Sequence, residues 1–315
     1  MTIAGAQETG LPLWRRLWIY QSERFPLVKT SILLAAFSSA SINVSAFLGG
    51  SPLPGLPTYL VAFVVLLIFF FQLRACDEVK DAEDDRLYRP ERPIPRGLVT
   101  QRLIVGIALA LVPVAIVTSY ILAPAIILPL VAVWIWLALM TVEFGVPEWL
   151  KARPMLYLVS HMAIMPLIDF FVTGAEWLPR AGRPPDGLSL FLALSFVNGC
   201  VLEFGRKLYA PVNERLGVET YTALLGLRRA TLMWLGCLTL ALLLLAAIGF
   251  AVGAPLTISV VGVLAYAAAA LVALRFLKRP DGKGQTLVDT TAGLWVFVCY
   301  MAAGYLPLLK FGIVQ

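Results

Sequence analysis

The chain has 315 residues, 60% of them hydrophobic and only 14% charged, with a mean hydropathy of +0.84. A soluble domain is about 45–50% apolar and about 25% charged, so a water-soluble globule is excluded; the apolar runs are long and do not alternate, which points to membrane-spanning helices rather than a barrel. The net charge of +6, from 25 basic and 19 acidic residues, reads as membrane orientation and not as nucleic-acid binding.

Residues 1–28 hold Arg15, Arg16 and Arg24 but lack a compact apolar core with a small-residue cleavage site, so they read as a cytoplasmic N-terminal segment and not a cleavable signal. Nine spans follow in a single domain, 1–315, expected at 29–49, 56–76, 102–119, 122–141, 155–173, 187–205, 231–251, 255–275 and 290–311. The second is the clearest, with no charge from Leu56 to Leu73. Only Ala123-Pro124 punctuates the third and fourth, and Gly253-Ala254-Pro255 the seventh and eighth. With the N-terminus inside, 22 of the 25 basic residues fall on inner segments, leaving Arg180, Arg183 and Lys310 outside. The expected setting is a bacterial-type inner (plasma) membrane, with both charged clusters on the cytoplasmic side.

The first cluster closes the second span: Asp77-Glu78-Val79-Lys80-Asp81-Ala82-Glu83-Asp84-Asp85. Asp77, Asp81 and Asp85 recur every fourth residue, so on a helix they stack along one face over roughly 12 Å. Like charges at this spacing destabilise a helix by about 0.2–0.5 kcal/mol per pair. Such a row calls for a cation, and oxygen ligands suit Mg²⁺, which also binds substrate phosphates. At a membrane boundary that combination points to diphosphate chemistry on a lipid-like substrate.

The second cluster closes the sixth span: Glu203-Phe204-Gly205-Arg206-Lys207, then Ala210-Pro211-Val212-Asn213-Glu214, then Gly217-Val218-Glu219-Thr220-Tyr221. It lies four spans after the first, which suggests two halves of four helices facing one another. No clear sequence identity links the halves.

Asp77-x-x-x-Asp81-x-x-x-Asp85 followed by Arg89-Pro90-Glu91-Arg92-Pro93-Ile94-Pro95-Arg96-Gly97 resembles the first signature of the UbiA superfamily of intramembrane prenyltransferases. Chain length, span number and the inner-face clusters resemble that family throughout, as does Glu23-Arg24-Phe25-Pro26 more weakly. The resemblance implies an all-α integral membrane fold of about nine helices around a central cavity capped by the two acidic loops. It also implies transfer of a prenyl group from a prenyl diphosphate, with Mg²⁺ bridging carboxylates and diphosphate. In the second signature, Lys207, Glu214 and Gly217 fill three of the family's places, but no acid stands near Ala210-Pro211. Asn213 and Glu203 are the remaining oxygen donors there, and this set is weaker and more cationic than a carboxylate pair. Arg206 or Lys207 is then expected to hold the diphosphate directly.

The expected metal ligands are therefore Asp77, Asp81, Asp85, Glu203, Asn213 and Glu214, and the expected diphosphate contacts are Arg89, Arg92, Arg206, Lys207 and Asn213. Of these, Asp77, Asp81, Asp85, Glu203, Lys207 and Glu214 are taken as catalytic. Phe70, Phe71, Tyr88, Tyr209 and Tyr221 are aromatic candidates for shielding an allylic cation. The partners are a prenyl diphosphate, a lipophilic and in particular aromatic acceptor, and membrane lipids. An alternative on the same scaffold is a terpene cyclase, in which the cation closes on itself without an acceptor. A transporter with an acidic ion site is disfavoured, because transport sites sit near the midplane.

Other residues have plainer readings. Asp169 on the fifth span is expected to face the interior, as an acceptor-orienting, proton-accepting or hydrogen-bonded structural group. His161, the only histidine, reads as a packing residue and rules out a multi-histidine metal site. Cys76, Cys200, Cys237 and Cys299 show no CxxC pairing and read as core residues. Asp281-Gly282-Lys283-Gly284 lacks the full phosphate-loop pattern and reads as a turn.

Overall fold

The structure, a computed structural model, describes residues 10–215 and 217–311. All regular elements among them are helical. In chain order these are α1 (Leu13–Arg24), α2 (Leu27–Leu48), α3 (Leu56–Lys80), α4 (Ala82–Tyr88), α5 (Gln101–Ala110), α6 (Val112–Leu122) and α7 (Ile127–Thr141). Then come α8 (Pro147–Lys151), α9 (Pro154–Met162), α10 (Ile164–Ala181), α11 (Leu188–Arg206), α12 (Tyr221–Leu225), α13 (Leu227–Ala251), α14 (Pro255–Lys278) and α15 (Gly282–Phe311).

Among the described residues nine helices are long and apolar enough to cross a membrane: Leu27–Leu48, Leu56–Lys80, Gln101–Leu122, Pro124–Thr141, Pro154–Ala181, Leu188–Arg206, Leu227–Ala251, Pro255–Lys278 and Gly282–Leu309. The count matches the sequence reading; several ends do not. The fifth span runs eight residues beyond its expected end and the ninth starts eight residues early, because polar side chains there find partners inside the protein. Two spans are broken. Pro113 has no N–H to give to Leu109, and the third span divides at Leu111 into α5 and α6. Pro166 likewise gives none to Met162, and the fifth divides at Ala163 into α9 and α10.

The core forms two main apolar clusters. One gathers Leu66 and Phe69 of α3, Ala115 of α6, Leu130 and Val133 of α7, and Ile168 and Phe171 of α10. The other gathers Phe191, Leu194 and Val201 of α11, Trp234 and Leu238 of α13, Ala269 of α14, and Ala292 and Trp295 of α15. Helix α2 belongs to both, sending Leu34 and Ile42 to the first and Ala40 and Val44 to the second. The arrangement is therefore largely spans two to five, then six to nine, with the first span between them and the fifth reaching the second cluster through Leu158 and Trp177.

That position explains the sequence of α2. Ser38, Ala40, Ser41, Ile42, Asn43, Val44, Ser45 and Ala46 are all buried, so the helix is surrounded and needs small residues for close approach. At the tightest crossing, a Cβ on Gly304 would stand 2.5 Å from the Ala40 Cα. The polar atoms of α2 satisfy buried carboxylates in turn. Ser41 donates to Asp169 at 2.8 Å, Tyr300 donates to its other oxygen, and Ser45 donates to Glu176 at 2.7 Å. Asp169 thus faces the interior, with both oxygens engaged as in a structural carboxylate. Arg180, one of the outer basic residues, closes on Glu176 at 2.6 Å. The four cysteines are free.

Candidate active site

Helix α3 carries the first acidic cluster to the C-terminal end of the second span, but the row of aspartates is not straight. The helix ends at Lys80, Asp81 sits at the junction (φ −90°, ψ 7°), and α4 resumes at Ala82. Hydrogen bonds from Asp81 N to Asp77 O (2.9 Å) and from Asp85 N to Asp81 O (2.8 Å) keep the chain coiled through the bend. Mutual repulsion of the carboxylates favours such a bend over a continuous helix, and it separates their fates.

Asp85 is buried and fully committed. Arg92 reaches both of its oxygens, at 2.6 and 2.5 Å, and Arg89 approaches at 3.3 Å. The prolines of Arg89–Gly97 turn the loop back on itself, with hydrogen bonds from Arg92 N to Arg89 O and from Arg96 N to Arg92 O, so the guanidinium groups point at Asp85. Asp85 is thereby a neutralised anchor for the loop, and Arg89 and Arg92 are its partners instead of open cationic groups. These three, read in the sequence as a metal ligand and two diphosphate contacts, are brought together by the structure as one ion-paired group.

Asp77 and Asp81 remain. Asp77 is half-exposed and holds only Arg74, at 2.5 Å. The Asp81 carboxylate makes no hydrogen bond or ion pair among the described residues, and burial together with the Asp77 and Asp85 charges raises its carboxyl above the ordinary value. A half-buried, unpaired carboxylate beside a second one is a donor set that a divalent cation fits.

Opposite stands the end of α11. Glu203 receives Arg206 at 2.6 Å and Lys207 at 2.8 Å, and Arg206 is close enough to Asp77 and Asp289 for their charges to act on it. The two clusters therefore face each other, acidic on α3 and predominantly cationic on α11. Lys207 also lies 5.9 Å from the centre of the Tyr221 ring, which packs on Phe204 at 4.4 Å.

Asn213 and Glu214 lie elsewhere. Asn213 is exposed and donates to Gln285 of α15 at 2.8 Å. Glu214 accepts from Thr220 and Thr222 at 2.6–2.8 Å, while Thr220 caps α12 through Ala223 N. Both residues shape the second loop and are not brought to Glu203. The two loops meet at Gly217, which has φ +78° and where a Cβ would stand 2.5 Å from the Tyr88 ring. Of the other aromatic candidates, Phe71 packs on Phe25 (5.5 Å) and Phe70 against the first core cluster. The Asp281 carboxylate accepts from Gly284 N at 2.6 Å, capping the last helix, as its reading as a turn requires.

Sequence reasoning missed two groups of residues that flank the acidic face. On one side α1 grips Glu78: Arg24 at 2.7 Å and Tyr20 at 3.4 Å, with Glu23 forked onto Arg96 at 2.8 Å through both oxygens. On the other side Lys80 enters a buried cluster with Glu143, Tyr157 and His161. Its ammonium meets Glu143 Oε1 at 2.9 Å, His161 Nε2 at 3.0 Å and the Tyr157 hydroxyl. Tyr157 and His161, one helical turn apart on α9, stack at 3.9 Å. Glu143 and Phe144 both adopt left-handed backbone (φ 50° and 53°), at about 1–2 kcal/mol each. Phe144 is fixed there against Trp136 and His161. An acid directly closing the fourth apolar run, and Tyr and His four residues apart, were the available signals.

The sequence profile of the UbiA prenyltransferase family matches residues 42–296. No curated protein matches the chain. Among solved structures, a UbiA homologue from Aeropyrum pernix K1 superposes with a TM-score of 0.64 at 17% identity, over 84% of this chain and 97% of that one. A structure from work on digeranylgeranylglyceryl phosphate synthase in membranes gives 0.60 at 14% identity, over 90% and 99%. A UbiA homologue from Archaeoglobus fulgidus bound to DMAPP and Mg²⁺ gives 0.55 at 14% identity, over 89% and 98%. At these identities the shared property is the fold. With a profile match over most of its length and the same helical architecture, this chain belongs to the UbiA prenyltransferase family.

Proposed function

We propose that the protein transfers a prenyl group from a prenyl diphosphate to a lipophilic, aromatic acceptor within the membrane, with Mg²⁺ as cofactor and the site on the cytoplasmic face. The observation that carries this reading is the half-buried, unpaired Asp81 carboxylate beside Asp77, across from the Arg206–Glu203–Lys207 cluster. Two structures of a UbiA homologue from Archaeoglobus fulgidus, of the same fold, hold a prenyl diphosphate and Mg²⁺, DMAPP in one and GPP in the other, which supports it.

Asp77 and Asp81 would hold Mg²⁺, which would supply positive charge against that developing on the diphosphate oxygens. Arg206 and Lys207 hold the diphosphate from the other side. The allylic C–O bond breaks with its electron pair leaving on diphosphate. An electron pair of the acceptor then bonds to the prenyl C1, and the acceptor loses a proton. The apolar interior below α3 and α11 excludes water from the cation.

The test is product analysis on the purified protein with Mg²⁺ and geranyl, farnesyl or geranylgeranyl diphosphate, with and without aromatic acceptors. A prenylated acceptor supports the reading. A cyclic hydrocarbon or alcohol formed without acceptor replaces it with a terpene cyclase.

A further inference from the structure

We propose that Glu143, with Tyr157 and His161, is a positioning device that keeps Lys80 from pairing with the aspartates of α3 and so leaves Asp81, beside the Arg74-paired Asp77, open to a divalent cation. The inference rests on the metal-dependent reading above.

The problem it solves is visible in the sequence. Lys80 stands three residues after Asp77 and directly before Asp81. On a helix its side chain leaves only about 60° around the axis from that of Asp77, and an ammonium there is well placed to pair with either aspartate and occupy the site itself. In the structure it pairs with neither. All three of its N–H donors are consumed by Glu143 Oε1, the Tyr157 hydroxyl and His161 Nε2, and the ammonium also lies 4.7 Å from the Tyr157 ring centre, near enough to Asp81 for its charge to act there without a direct pair.

The receiving site is built for a cation. Glu143 is buried and projects from two consecutive left-handed residues, a backbone that no glycine eases. His161 Nδ1 lies 2.9 Å from the Tyr157 carbonyl; an N–H there leaves the Nε2 lone pair for Lys80. Glu143 Oε2 is buried without a hydrogen-bond partner, 3.5 Å from His161 Nε2, while Oε1 accepts from the Tyr157 hydroxyl at 3.3 Å and pairs with Lys80 at 2.9 Å. Glu78, about 100° around the helix from Asp77 in the opposite sense, is held by Arg24 and Tyr20 of α1. The two anchors, one on each flank, also fix the rotation of α3 so that the aspartates face α11.

The test measures Mn²⁺ binding by electron paramagnetic resonance on the full-length protein in nanodiscs, without turnover. Glu143→Gln should weaken Mn²⁺ binding about tenfold, because the released ammonium competes for Asp77 and Asp81. Adding Lys80→Met to that variant should restore affinity to within about twofold of wild type, since no competing charge remains. If Glu143→Gln does not fold, Tyr157→Phe removes one lysine partner with no change of charge, and should weaken binding about two- to threefold. Unchanged Mn²⁺ affinity in the folded single variants overturns the inference, and so does a loss that Lys80→Met fails to rescue. Wild-type protein that binds no Mn²⁺ would sink the metal reading itself, and this inference with it.

Discussion

At the scale of single residues, the three aspartates of one motif have three different environments. Asp85 is 2% exposed and neutralised by two arginines, Asp77 is half-exposed with one arginine, and Asp81 is unpaired. Removing one partner of a buried ion pair leaves the others uncompensated, which costs about 3–5 kcal/mol. Arg89 and Arg92 retain some contact with solvent, so the lower figure applies to Asp85→Asn. We predict that this variant loses about 3 kcal/mol of stability and that its loop becomes protease-sensitive, measured by melting and limited proteolysis. Asp81→Asn, which breaks no bond in the structure, should melt like wild type or higher while losing Mg²⁺-dependent activity. The opposite pattern, an unstable Asp81→Asn and a silent Asp85→Asn, would show that the two roles are assigned the wrong way round. The four-residue spacing revealed that the aspartates belong together. It could not show which one the arginines take, because that depends on how Pro90, Pro93 and Pro95 turn the loop back.

At the scale of elements, sequence signals worked where local physics decides. Apolar length set the nine spans, and the breaks in the third and fifth follow from Pro113 and Pro166. They failed where distant contacts decide. Glu203 had carboxylate company in the sequence, but Glu214 is turned away by Thr220 and Thr222 and Asn213 by Gln285, 72 residues on. The Glu143 cluster was equally hidden, since its members come from α3, the turn after α7, and α9. Contact between the two capping loops depends on Gly217, whose positive φ and missing Cβ together admit the Tyr88 ring. Gly217→Ala should therefore loosen the cap, raising KM for the prenyl diphosphate several-fold with little change in melting temperature. An unchanged KM would mean that the loops do not act together on substrate.

At the scale of the whole molecule, two clusters of helices share α2 and present an acidic end and a cationic end to one another at one end of the bundle. The sequence reading of two four-helix halves, made from the position of the charged clusters alone, agrees with the division of the core. The role of α2 as shared partner shows in its run of serines and alanines, which is too polar for a helix facing lipid and too small for one packed on a single side. Gly304→Ala places a methyl 2.5 Å from the Ala40 backbone, so it should cost about 1–3 kcal/mol by overpacking, seen as a lower melting temperature. Melting indistinguishable from wild type would show that α2 and α15 do not meet as closely as described.

The central claim is that the carboxylates of α3 hold a divalent cation against a diphosphate clamped by α11. Its most direct test is diphosphate release from geranyl, farnesyl and geranylgeranyl diphosphate by the purified protein with an aromatic acceptor panel, in Mg²⁺ and in EDTA, beside Asp81→Asn. We expect release in Mg²⁺ from the wild-type protein, none in EDTA, and a loss of about 100-fold or more in the variant. Release that persists in EDTA, or that Asp81→Asn leaves intact, would contradict the account.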